Sequence, residues 1–87
     1  FRVEVNKEAS RDFEMIRRSG DKAMITKLEQ IIYELSEHPD FGTGRPERLK
    51  HHLSGYWSRR LNKKDRLIYQ ILGDEVVVIV VSALGHY

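Results

Sequence analysis

Apolar and polar residues alternate at the start of the chain, Phe1-Arg2-Val3-Glu4-Val5, and this valine-rich alternation predicts a β-strand over residues 2–6. Asn6 can then cap a helix through "KEASRDFEMIRR", in which Ala9, Phe13 and Ile16 share one face. Ser19-Gly20 breaks that helix, and Asp21 can cap a second. There Met24, Leu28, Ile31, Ile32 and Leu35 fall at i, i+4, i+7, i+8 and i+11, the stripe of a helix buried on one side. It stops before Pro39, so the two helices read as an antiparallel hairpin.

Beyond residue 38 the helical period is lost. "HPDFGTGRPE" is a loop by its glycines and prolines, and three strand-like runs follow: "YWSRRL", "RLIYQIL" and "EVVVIVVSA". "NKKD" and "GD" join them, both short enough for antiparallel hairpins. Trp57, Arg59 and Leu61 then share one face and Tyr56, Ser58 and Arg60 the other, while Leu67, Tyr69 and Ile71 oppose Arg66, Ile68 and Gln70. The last run is apolar on both faces, which suits a central strand. The order β-α-α-β-β-β predicts an α+β fold, an antiparallel-dominated sheet with a two-helix hairpin on one face. At 87 residues, 1–87 is one domain.

Charge changes this picture more than composition does. Residues 1–44 carry seven Lys/Arg against nine Asp/Glu, but residues 45–66 carry eight against two, with His51 and His52 beside them. Positive charge concentrated on a quarter of a domain favours a polyanionic partner, nucleic acid first, although a solvated basic face would look the same. The absence of cysteine excludes disulfides and thiol nucleophiles and fits a reducing compartment. Neither a leader segment nor an apolar run of membrane-spanning length stands out, so the expected location is the cytoplasm, with no membrane partner.

Adjacent His51-His52 cannot share a face, and no third ligand stands near them in sequence, so no metal or other cofactor is expected. Gly42 and Gly44 are not followed by the Gly-Lys-Ser/Thr of a phosphate loop. What remains is Glu47, Lys50, His51, Arg59, Arg60, Arg66, His86 and Tyr87. Such a set has a use if the substrate is RNA, whose ribose 2′-OH is a built-in nucleophile. Cleavage then needs a base for the 2′ proton, cations for the phosphate and an acid for the leaving 5′ oxygen. At neutral pH a glutamate is ionised while a histidine can still supply a proton, and an arginine fork grips a phosphate with two parallel hydrogen bonds. Each residue also has a plain structural reading: Glu47 as a helix start or solvated loop residue, Arg66 as a charged strand edge, His86-Tyr87 as a packed tail.

The stretch "GRPERLKHHLSGYWSRRLNKKDRLIYQI" and the closing "HY" decide between these readings, because together they resemble the YoeB/Txe toxins, a branch of the RelE superfamily of bacterial toxin–antitoxin systems. Order and spacing agree across about half the chain, while the first half agrees only in pattern. The resemblance implies a RelE-like fold and a metal-independent, ribosome-dependent endoribonuclease that cuts mRNA in the A site of the 70S ribosome. It also implies a cognate antitoxin of the YefM/Axe, Phd-like type, operator DNA bound only through the toxin–antitoxin complex, a homodimer as a further assembly, and a bacterial cytoplasmic location. Glu47 matches the family's general base, His86 its general acid, Arg66 the arginine on the transition-state phosphate and Tyr87 the closing tyrosine. Lys50 matches a lysine lining the site, and His51, Arg59 and Arg60 fall in the substrate-binding stretch, with a structural role open for the last two. Two departures stand out. Asp65 occupies the position before the strand arginine where relatives often have histidine, and the tail reads "ALGHY" without an arginine or tyrosine just before the last dipeptide. The competing readings are a catalytically idle binding module that tunes promoter occupancy and an RNase that needs no ribosome.

Overall fold

In a computed structural model that describes residues 1–83, strand β1 (Arg2–Val5) leads directly into helix α1 (Lys7–Ser19). The turn between them is fixed by Asn6, whose side chain accepts the Ala9 N–H at 3.0 Å. Gly20 ends α1 in the left-handed conformation (φ +75°), and Asp21 starts α2 (Lys22–Glu37) by accepting the Met24 N–H. Both caps and the break between the helices fall where the sequence places them.

The sheet has five strands, in the order β1-β5-β4-β3-β2, where β2 is Glu47–Arg48, β3 Trp57–Arg60, β4 Asp65–Leu72 and β5 Glu75–Ala83. The pairs β2–β3, β3–β4 and β4–β5 are antiparallel; β1 joins the edge of β5 in parallel. This is the expected α+β order with one addition. Glu47, the last residue of the stretch read as loop, forms with Arg48 the two-residue strand β2, and a 3-10 turn follows at His51–Leu53 in a stretch given no element by the sequence pattern. Two residues carry no periodic signal, so only tertiary pairing makes them a strand.

The core lies between the helices and one face of the sheet. Ala9 and Ile16 from α1 and Leu28, Ile31 and Leu35 from α2 meet Leu61, Leu67, Tyr69, Val76 and Val78 from the sheet side. Residues 76–81 of strand β5 are all apolar, as suits a strand that lies inside the sheet with β1 on one side and β4 on the other. Near its end Asp12 Oδ2 accepts the Val81 N–H at 3.0 Å, tying α1 to the strand. No helix among the described residues is long and apolar enough to cross a membrane.

Candidate active site

Strand register brings together residues far apart in sequence. Glu47 lies across from Ser58, Ser58 across from Ile68, and Arg60 across from Arg66. Alternate residues of a strand share a face, so these five line the face of the sheet away from the helices. Their neighbours Arg59, Leu67 and Tyr69 point into the core side.

Arg66 is 8% exposed, yet its guanidinium reaches over β3 to Glu47, with Nη1 at 3.9 Å from Oε2. That separation is too long for a hydrogen bond, and the Glu47 side chain is 61% exposed, so the pair is loose. The carboxylate remains accessible to accept a proton. A largely buried cation with so weak a partner among the described residues is a ready site for a better anion. Arg60, exposed and directly opposite Arg66, strengthens this preference: like charges paired across strands repel unless an anion lies between them.

Next to Glu47 the chain turns sharply, with Lys50 at the start of the 3-10 turn and His51 in the left-handed region (φ 60°). Residues 47–53 line an open cleft of about 450 Å³. Lys50 and His51, both exposed, therefore share that cleft with Glu47. Arg48 points to the other face and lies over the Trp57 ring, 5.3 Å from its centre. Asp65 is turned away from Arg66: its carboxylate accepts from Asn62 Nδ2 at 2.9 Å, and the Asn62 side chain in turn accepts the Lys64 and Asp65 N–H groups. The departure at Asp65 thus shapes the β3–β4 turn and leaves Arg66 its charge.

Arg59, grouped with the substrate-binding residues on sequence, belongs to the interior instead. It is fully buried, and its donors are all occupied. Nη1 donates to Glu34 Oε1 at 2.6 Å and to the Thr43 carbonyl, Nη2 to the carbonyls of His38 and Phe41, and Nε to the Tyr69 hydroxyl. Five N–H groups is the full capacity of a guanidinium, so none is left for a phosphate. Glu34, which sequence reasoning missed, completes the cluster by accepting from Gln30 and from the Thr43 N–H and hydroxyl. Burial alone would raise its carboxyl, but the Thr43, Gln30 and Arg59 donors more than offset this and hold it at about 2. Burial pushes the Tyr69 phenol up, so it stays a donor to the Pro39 carbonyl at 2.6 Å.

This cluster pins the loop over residues 38–44, which delivers Glu47. Two glycines make the approach possible. Gly42 (φ +119°) lies where a Cβ would collide with Glu34 Oε1, and Gly44 (φ +83°) lies where one would stand 2.7 Å from the Arg60 carbonyl. Gly44 also accepts the Arg60 N–H at 2.7 Å, joining the loop to β3 three residues before Glu47. A signal for the cluster was present in the sequence: Glu34 interrupts the apolar stripe of α2, and Arg59 interrupts an apolar face between Trp57 and Leu61. Opposite charges, each breaking a buried pattern, mark a pair. His86 and Tyr87, assigned to acid catalysis and substrate orientation, lie outside the described residues.

Comparison with known proteins agrees with this architecture. A family profile described as YoeB-like toxin of bacterial type II toxin-antitoxin system matches residues 5–87. Toxin YoeB of Escherichia coli O6:H1 (strain CFT073) is 38% identical over 71 residues, covering 82% of this chain and 84% of that protein. The solved YoeB/ParE toxin from Agrobacterium tumefaciens superposes with a TM-score of 0.86 at 30% identity over the whole of both chains. A YoeB-YefM complex from Staphylococcus aureus gives a TM-score of 0.79 at 27% identity, covering 100% of this chain and 98% of that one.

Proposed function

This chain belongs to the YoeB-like toxins of bacterial type II toxin–antitoxin systems, and we propose that it is a ribosome-dependent endoribonuclease that cleaves mRNA in the A site. The observation that carries this reading is the Glu47–Arg66 pair: an accessible carboxylate 3.9 Å from a largely buried guanidinium, with Arg60 opposite. That arrangement supplies a proton acceptor beside a phosphate cradle, the two elements a 2′-OH attack needs.

In this mechanism the Glu47 carboxylate takes the 2′-OH proton while the 2′ oxygen bonds to phosphorus. Arg66 and Arg60 hold the phosphate as negative charge builds on its oxygens. The bond from phosphorus to the 5′ oxygen breaks, and His86 protonates that oxygen, leaving a 2′,3′-cyclic phosphate and a 5′-hydroxyl. Ser82 is the register partner of Arg66 on β5, and His86 follows it by four residues in sequence. Tyr87 orients the substrate, and Lys50 and His51 contact its backbone in the cleft. A YefM-type antitoxin, the partner present in the S. aureus complex, silences the toxin in the cytoplasm.

The test is a translation reaction with purified 70S ribosomes and a defined mRNA, with any cut located by toeprinting. The reading requires cutting in the A-site codon only when ribosomes are present, lost in both Glu47→Ala and His86→Gln, with antitoxin binding retained. Cutting of naked RNA would instead favour an RNase independent of the ribosome. A folded, antitoxin-binding protein that cuts nothing would leave a binding module.

A further inference from the structure

Ser58 is fully buried at the centre of the candidate site, and its hydroxyl has no hydrogen-bond partner among the described residues. A buried hydroxyl without a partner is costly, so its retention on this face calls for a use. The positions around it on that face are Glu47 and Ile68 across the strands, Tyr56 and Arg60 along β3, and Arg66 and Gln70 on β4. Of these, Glu47 alone carries an ionised acceptor. Directly opposed strand residues lie close enough for their side chains to meet, and a serine hydroxyl rotates freely to donate.

We propose that Ser58 is a positioning residue: when a substrate phosphate draws Arg66 from Glu47, the Ser58 hydroxyl donates to the Glu47 carboxylate and holds it in place as the base. The loose 3.9 Å contact between Glu47 and Arg66 is what makes this exchange feasible, because little is lost when the guanidinium turns to the phosphate. An exposed carboxylate that has just lost its cation would otherwise swing into solvent. A donated hydrogen bond favours the charged form and fixes the direction of the accepting oxygen. Among the described residues the other charged or titratable groups around Glu47 are Arg60 and Arg66 from the sheet and Arg48, Lys50, His51 and His52 from the cleft, all on longer and more mobile side chains than a serine hydroxyl. This assignment rests on the nuclease reading above.

The experiment compares ribosome-dependent cleavage rates against pH for the wild type, Ser58→Ala and Glu47→Ala, with thermal melts of all three. Ser58→Ala should melt at or above the wild-type temperature, having lost an unpartnered hydroxyl. Its cleavage at neutral pH should fall on the order of tenfold, with the acid side of the rate profile displaced to higher pH. A Ser58→Ala profile that overlays the wild type, or one lowered equally at every pH, overturns the assignment. Those outcomes, with Glu47→Ala inactive, leave the nuclease reading standing. A wild type that never cleaves removes both.

Discussion

Arg59 and Glu34 meet in the interior across 25 residues of sequence, Nη1 to Oε1 at 2.6 Å, and between them they hold the backbone of the loop that carries Glu47. The pair is enclosed, with side chains 0% and 7% exposed, so removing one partner strands a charge. Glu34→Gln and Arg59→Met should each lower the unfolding free energy by about 3–5 kcal/mol. The double variant should cost less than the two together, because no lone charge remains. Urea denaturation of the four proteins measures this coupling directly.

The same carboxylate gives stability a defined pH dependence. Glu34 titrates at about 2 when folded, against an ordinary value of 4.5, so its contribution is fully present above pH 4.5 and is lost as pH falls towards 2. The amount at stake is on the order of 3 kcal/mol. Unfolding curves at stepped pH should show the wild type weakening through this window and Glu34→Gln nearly flat.

Gly44 and Gly20 separate backbone strain from collision. Both have positive φ, but a Cβ at Gly20 meets nothing within 4 Å, whereas one at Gly44 meets the Arg60 backbone at 2.7 Å. Gly20→Ala should cost about 1 kcal/mol and leave cleavage unchanged. Gly44→Ala should cost about 1–3 kcal/mol beyond that and slow cleavage as well, because β3 and the Glu47 loop are forced apart. Melting temperatures and toeprint yields of the pair distinguish these effects.

Arg66→Lys keeps the charge and loses the fork. Lysine cannot present two parallel donors to a phosphate. Cleavage should fall about 10²–10³-fold, the scale for removing one transition-state donor, while the circular dichroism spectrum and antitoxin binding stay unchanged. Full activity in this variant would mean that point charge alone suffices.

Much of this molecule is legible from its residue order. Asn6, Asp21, Gly20 and Pro39 mark the helix limits because capping and helix-breaking chemistry is local, and the alternation in β3 and β4 assigns their faces correctly. Local rules could not show that Glu47–Arg48 form a strand, since those two residues acquire that role only by pairing with β3. Alternation does put Arg59 and Arg60 on opposite faces, but taken strand by strand it does not supply the partner that lets Arg59 be buried. Neighbours in "SRR" point to opposite faces, and the burial of one depends on Glu34, which lies on a helix the strand meets only in three dimensions. The position of Arg66 opposite Arg60 follows from the turn at Asn62–Asp65, whose register is set by the Asn62 side chain.

The parallel pairing of β1 with β5, Arg2 beside Glu75, sets the order of events during synthesis. The first strand made waits for the last before it has a neighbour in the sheet, and β4, which bears Arg66, gains its second neighbour from that same late strand. Contacts this distant in sequence form slowly and only once both partners exist. A growing polypeptide therefore holds Glu47 and Arg66 before the sheet that aligns them can close, and the pair is set in place only once the strand that begins at Glu75 has joined.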